Sequence, residues 1–209
     1  MRILKKLLVR IILLIVTAGI VCGSVVAVLG YLMYRDALKE QSLEDKVGDV
    51  QAHPSYTELA ELPEIYLDAV VAVEDHRFEQ HRGIDIIAIS RAAWNNIKSW
   101  SLREGGSTIT QQLAKNELFT QDKHLARKAA EMLAAFDIEK TYSKQQIFEM
   151  YANTIYFGSG YYGIAEAAEG YFGKEPAQLT DAEAIYLAGM PNAPSTSPMA
   201  NSFSASFRI

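Results

Sequence analysis

Two carboxylates, Glu74 and Asp75, follow directly on the apolar run Ile65-Tyr66-Leu67-Asp68-Ala69-Val70-Val71-Ala72-Val73. That run keeps helical spacing and is apolar on nearly every side, which predicts a buried helix. An acid at the end of such a helix has two uses. Paired with a cation such as Arg77 or Arg91, it is structural. Lining a cleft, it is a base, because desolvation raises its pKa towards the working pH. A second group, Lys123, Arg127 and Glu131, lies at i, i+4 and i+8 with Lys128 beside it, so the three share one helical face. It reads either as a solvent-exposed ladder of ion pairs or as a built cluster. Arginine four residues before glutamate is the less favourable order for helix stability, which favours a role beyond holding the helix. A third stretch, Gly105-Gly106-Ser107-Thr108-Ile109-Thr110-Gln111-Gln112-Leu113-Ala114-Lys115-Asn116, leads a glycine pair into a polar helix start. Backbone N–H groups there suit a phosphate or a sugar hydroxyl; the plainer reading is a solvated face.

Two other patterns carry less. His76 and His81 are five apart, which is no metal-ligand spacing, so hydrogen-bonding roles are expected. Gly158-Ser159-Gly160-Tyr161-Tyr162-Gly163 matches G-x-G-x-x-G to the letter. It has a helical run before it in place of a strand and no βαβ context, so a bend between helices is predicted and a dinucleotide site is not.

The elements that must position these residues are predominantly helical. A second helical run is read from Ile84 to Trp100. Ser107 is placed as the cap of a third, running through Leu118. Leu125, Ala129, Met132 and Phe136 form an apolar stripe on a fourth, opposite the face of Lys123, Arg127 and Glu131. Ser143 with Gln146, and Thr180 with Glu183, are capping-box openings of later helices. Strand signals are few, and no repeat or low-complexity tract stands out. The fold class is therefore mainly α.

Ahead of this domain, no charge lies between Arg10 and Arg35. A helix there would be roughly 36 Å long at about 1.5 Å per residue, enough to cross a bilayer core with some tilt. Residues 1–35 hold five basic residues and no acid, which predicts a cytoplasmic tip and a transmembrane anchor with the N-terminus inside. Gly19, Gly23 and Gly30 in the anchor read as ordinary membrane-helix glycines in preference to a packing face. Residues 36–62 read as a polar stalk and 63–209 as the main helical domain. Beyond residue 35 the chain has 15 basic and 25 acidic residues, which argues against nucleic acid as a partner. Cys22 is the sole cysteine, so no intrachain disulfide forms and packing must hold the domain.

Taken in order, the motifs resemble those of the peptidoglycan glycosyltransferases of glycosyltransferase family 51, found alone or as the N-terminal domain of bifunctional penicillin-binding proteins. The resemblance rests on Glu74-Asp75-His76-Arg77-Phe78-Glu79-Gln80-His81-Arg82-Gly83, on Gly106 to Leu113 with Lys115-Asn116, on Arg127-Lys128 with Glu131, on Tyr151-Ala152-Asn153 through Gly163, and on Glu183 to Pro194. It spans roughly residues 60–198. It implies a lysozyme-like helical domain with a small membrane-proximal jaw region, held at the membrane and acting on lipid II and the growing glycan strand, with cell-wall synthesis proteins as further partners. Glu74 resembles the family's general base and Glu131 its second acidic residue. Lys115, Lys123, Arg127 and Lys128 fall where the family has cations near the pyrophosphate. Ser107, Thr108, Gln111, Gln112 and Asn116 would line the cleft, and Asn153 would help shape it.

The implied chemistry is an inverting transfer, α-linked donor to β-1,4 product. The acceptor hydroxyl needs a base; the pyrophosphate leaving group needs charge neutralisation more than a proton. Mg²⁺ or Mn²⁺ would be an optional aid, and no organic cofactor is expected. Past Pro198 the sequence leaves the family's pattern, and truncation is the expectation for that tail. The rival readings are a lysozyme-like glycan-cleaving enzyme and a non-catalytic membrane-anchored binding module.

Overall fold

The structure, a computed structural model, describes residues 2–100, 105–119 and 125–191. Lys123 and everything beyond Pro191, including the unusual tail and the end of the last motif, lie outside the described residues. Among those described there are nine α-helices and no β-strand. This is the mainly α domain expected from the sequence, preceded by one long apolar helix.

That helix, α1 (Arg2–Glu40), is long and apolar enough to cross a membrane, and its apolar residues are exposed along most of its length. Its last turns dock on the helix that carries the basic cluster. Gly30 is the reason the two approach so closely. A Cβ built there would sit 2.5 Å from the Ala129 Cβ and 2.8 Å from the Ala126 carbonyl oxygen. One turn on, the Tyr34 hydroxyl donates to Asp137 at 2.7 Å. Gly19 and Gly23 meet nothing within 4 Å. Of the three anchor glycines read as unremarkable, then, Gly30 is a packing residue.

The 36–62 segment contains α2 (Leu43–Gln51), opened by Ser42, whose hydroxyl accepts from the Asp45 N–H at 3.1 Å. Leu43 and Val47 of α2 pack against the core, so this stretch is fixed to the domain. Next comes α3 (Glu64–Glu74), which buries Tyr66 and Val70. Its far side is open, with Val73 exposed. The expectation of burial all round is corrected here: α3 packs on α9 and the core with one face only.

The second run is α4 (Ile86–Ser99), capped by Asp85, which accepts from the Ala88 N–H at 2.8 Å. It buries Ala92 and leaves Ile86, Ile87, Trp94 and Ile97 exposed, with Trp100 just beyond it 96% exposed. The third is α5 (Ile109–Leu118), capped by Thr108, one residue later than Ser107 was placed. It lies at the centre, packed on both α6 (Leu125–Thr141) and α7 (Lys144–Thr154).

On α6 the sequence pattern misleads. Leu125 is 76% and Phe136 43% exposed, so the stripe of large apolar residues faces outward, part of it under α1. The buried face holds Ala130, Glu131, Ala134, Ala135 and Ile138. Small side chains let α6 lie close to α5, and with them they bring in the face of Arg127 and Glu131.

α7 opens on the expected capping box, Ser143 Oγ accepting from the Gln146 N–H while Gln146 Oε1 accepts from the Ser143 N–H at 2.9 Å. The chain then turns through Gly158, Ser159, Gly160 and Gly163, all at positive φ, and a single bridge between Tyr156 and Tyr162 closes the bend. Here the G-x-G-x-x-G string is indeed a bend between helices. α8 (Ile164–Phe172) and α9 (Asp181–Gly189) complete the described fold, the latter on the expected Thr180–Glu183 capping box.

Candidate active site

Glu74 is the last residue of α3. Its Oε2 accepts from the Gln112 side-chain amide at 2.6 Å, and its Oε1 is buried with no hydrogen-bond partner. Neither Arg77 nor Arg91 holds it: Arg77 is committed to Asp85, donating from Nε at 2.9 Å. Burial pushes the Glu74 carboxyl above the ordinary carboxylate range; the Gln112 bond and Lys115 oppose this, and Asp75 adds to it. The acid is therefore a desolvated carboxyl that accepts from one amide and feels one ammonium.

Its neighbour fixes the geometry. Asp75 is buried and accepts from the His81 imidazole Nε2 at 2.9 Å and from the Ile109 N–H at 3.0 Å. Ile109 is the first residue of α5, where N–H groups have no intrahelical partner, so Asp75 serves it as an anionic cap from another element. This clamp joins the end of α3 to the start of α5, and with it Glu74 to Gln112. The sequence reading singled out His81 only as a hydrogen-bonding residue and gave Asp75 no role of its own; the acid next to Glu74 was the available signal.

Thr108 and Gln111, expected along the cleft, are buried and used locally. Thr108 Oγ1 accepts from the Gln111 N–H at 3.1 Å and donates to the Gly83 carbonyl at 2.7 Å, while Gln111 Oε1 accepts from the Thr108 N–H at 3.1 Å. Gly106 is needed where it stands, since a Cβ would come within 2.9 Å of the Ile89 Cα.

Across α5 stands the cation cluster of α6. Lys128 donates to Ser107 Oγ at 2.7 Å and to Glu131 Oε2 at 2.8 Å. Arg127 Nε lies 3.0 Å from Glu131 Oε1. Glu131 itself is only 1% exposed. Of the two readings of this face, the exposed ladder does not hold: the acid is inside, with a cation on each oxygen.

Lys115, on α5 one turn on from Gln112, feels the charge of both acids. Its ammonium is pulled below the usual lysine value by burial, against the charges of Glu131 and Glu74 and aided by Arg127 and Lys128. Both halves of the candidate site thus reach it electrostatically. A cavity of about 770 Å³ opens along this edge, lined among others by Gln112, Lys115, Asn116, Asn153, Tyr156 and Tyr162. Asn116 Nδ2 is buried there without a partner. Asn153 meets the cavity but its side chain is engaged: Oδ1 accepts from the Thr57 N–H at 2.8 Å, and Nδ2 donates to the Thr57 and Glu149 carbonyls at 2.9 Å.

Glu74, Gln112, Lys115, Ser107, Arg127, Lys128 and Glu131 are therefore connected. Asn116 and Asn153 border the same opening, and Thr108 and Gln111 support it from inside. Among the described residues no group of three or more His, Cys, Asp or Glu could hold a metal ion, and Glu131 is already matched by two cations.

Comparison with known proteins gives the same placement. A family model described as Transglycosylase matches residues 40–208. Penicillin-binding protein 1F of Bacillus subtilis is 41% identical over 204 residues, covering 92% of this chain and 28% of that protein. Penicillin-binding protein 1A of Neisseria lactamica is 46% identical over 154 residues, covering 73% of this chain and 19% of that protein. The chain spans less than a third of the length of these two relatives. With the matched region reaching from the end of α1 across the whole candidate site, the chain belongs to the transglycosylase family.

Proposed function

We propose that the chain polymerises lipid II into β-1,4-linked glycan by inverting transfer, releasing a polyprenyl pyrophosphate. The observation that carries this is the pairing of a desolvated Glu74, hydrogen-bonded by Gln112 and ion-paired to no cation, with a cluster of three cations, Lys115, Arg127 and Lys128, of which Lys115 acts on both acids. The acceptor's 4-hydroxyl attacks the anomeric carbon of the donor. A C–O bond forms there, the bond to the pyrophosphate oxygen breaks, and the hydroxyl proton goes to Glu74. A base in contact contributes about 10²–10⁴-fold to such a step. The departing oxygen gathers negative charge, which cations already held in place neutralise without reorganising. Glu131 takes no proton in this scheme. It accepts from Lys128 and pairs with Arg127, and so aims both.

Anchoring through α1, with the N-terminus in the cytoplasm and the domain outside, fits this substrate, whose lipid tail stays in the bilayer. The exposed Ile86, Ile87, Trp94, Ile97 and Trp100 support it, since so large an apolar patch is unfavourable in water and suits the membrane interface. The test is polymerisation of labelled lipid II by the purified, detergent-solubilised chain. Polymer from wild type and none from Glu74→Gln is the expected result. Release of soluble sugar from mature wall would replace this reading with a glycan-cleaving one, and folded wild type without either product would leave a binding module.

A further inference from the structure

Gly30 lies in α1 a little before Arg35, the first charge after Arg10. At about 1.5 Å per residue that puts it roughly 7 Å inside the uncharged run. A Cβ there would stand 2.8 Å from the Ala126 carbonyl oxygen, 2.5 Å from the Ala129 Cβ and 3.0 Å from the Ala130 N. One turn on, Tyr34 reaches Asp137, two turns further along α6. The two helices therefore advance in the same direction, and the first turn of α6 lies level with Gly30 or further back along the span. Leu125, which opens that turn, is exposed. Arg127 and Lys128 fall between Ala126 and Ala129, at the height of Gly30. Beyond Lys128 the contacts continue to α4. Lys128 bonds to Ser107 at 2.7 Å, and a Cβ on the adjoining Gly106 would stand 2.9 Å from the Ile89 Cα, on the helix whose Ile86 and Ile87 are exposed.

We propose that the first turn of α6 is a bilayer-contact surface, seated at headgroup depth by the Gly30 dock, so that Arg127 and Lys128 stand level with the phosphates of the outer leaflet. The inference rests on the reading of α1 as a membrane span whose C-terminal end lies outside. The occupant of this surface is the lipid itself. The surface is continuous with the span: Leu125 extends the exposed apolar side of α1 across the dock, and Tyr31, exposed at the same level, is of the residue type that lines membrane interfaces. Charge is complementary too. Lys128 keeps nearly half of its side chain exposed, and a lysine at that depth reaches a phosphate while its stem stays against apolar surface. A pyrophosphate on a lipid tail then meets the cations without leaving the leaflet. Drawing the tail out into water would cost more with every methylene exposed. The dock thus acts as a ruler between the membrane and the site.

The experiment uses the full chain with Cys22→Ser in lipid nanodiscs, carrying one nitroxide at a time on Val16→Cys, Leu125→Cys or Lys140→Cys. Val16 marks the span, and Lys140 lies at the far end of α6, roughly 22 Å along its axis from Leu125. Collisions with oxygen, which gathers in hydrocarbon, are compared with collisions with a water-soluble nickel chelate. The Leu125 label should favour oxygen, as the Val16 label does, and the Lys140 label should favour the chelate. A Leu125 label as open to the chelate as Lys140, with Val16 in hydrocarbon, overturns the proposal and leaves the anchor standing. A Val16 label in water sinks the anchor reading and the proposal with it. In Gly30→Val, which presses α1 away from α6, the Leu125 label should move towards the chelate while Val16 holds; an unmoved Leu125 label overturns the ruler. The consequence for substrate is read with Leu125→Asp, a change at an exposed side chain. Its KM for long-tailed lipid II in nanodiscs should rise about three- to tenfold with kcat unchanged, and a short-tailed, water-soluble analogue in detergent should react as with wild type. Equal effects on both substrates overturn the proposal. The labels need no turnover: a chain that makes no polymer sinks the functional reading, while the depth of α6 is still decided.

Discussion

Glu74 and Glu131 flank one lysine and differ in almost every other respect. Glu74 ends a helix, receives one neutral donor and keeps an oxygen unmatched. Glu131 lies mid-helix, almost wholly buried, with Arg127 on one oxygen and Lys128 on the other. A carboxylate desolvated beside an amide suits a proton acceptor; one whose two oxygens already face Arg127 and Lys128 suits aiming those cations. On the proposed scheme environment, not residue type, separates the two acids, and the same contrast predicts which change harms chemistry and which harms the fold.

The largest effect short of removing the base is expected from Lys115→Met. It deletes the charge that connects the two acids but keeps the bulk. Polymerisation should fall by about 10²–10³-fold, the scale of losing one transition-state electrostatic contact. The melting temperature should hold or rise, because a half-buried ammonium is gone; a large fall in Tm with little loss of rate would erase the contrast. Next, Glu131→Gln should destabilise more than Glu74→Gln. Losing the charged hydrogen bond from Lys128 and the ion pair with Arg127 should cost about 2–3 kcal/mol. In a domain of this size that lowers Tm by roughly 4–12 °C, measurable by thermal melting.

A smaller effect tests what holds α6 in place. Gly30→Val would press on Ala126 and Ala129, at about 1–3 kcal/mol of overpacking. Rate and Tm should decline together, since α6 carries the cations; an unchanged Tm would mean that α1 does not brace it. The smallest effect is in pH. The Glu74 carboxyl is raised, so the base protonates, and activity is lost, at a higher pH on acidification than for an ordinary glutamate. Lys115 is lowered, so its charge, and activity with it, goes at a lower pH on alkalinisation than for an ordinary lysine. The kcat/KM profile should be a narrowed bell, and Lys115→Met should shift its alkaline limb. By linkage, a raised folded-state Glu74 favours folding below the ordinary carboxylate value and disfavours it as pH rises through the raised one. Glu74→Gln should therefore melt no lower than wild type at neutral pH.

Much of this site was legible in the sequence because its signals are local. An acid closing an apolar run, a glycine pair before a polar helix, and an i, i+4 pair of Arg127 and Glu131 each sit within a few residues. The capping boxes at Ser143 and Thr180 were local too. Where the reading failed, the cause was tertiary. Leu125 and Phe136 looked like the core stripe of α6, but helix packing selected the alanines, whose small size allows α5 to approach. Gly30 has meaning only once α6 lies against it. Asp75 serves an N–H thirty-four residues away.

The most direct test of the account is the rate of lipid II polymerisation by Glu74→Gln and Glu131→Gln, side by side in preparations matched for folded fraction. The account predicts a loss of about 10²–10⁴-fold for Glu74→Gln and a loss at least tenfold smaller for Glu131→Gln. Equal losses in two equally folded variants would contradict it, because both acids would then be handling a proton.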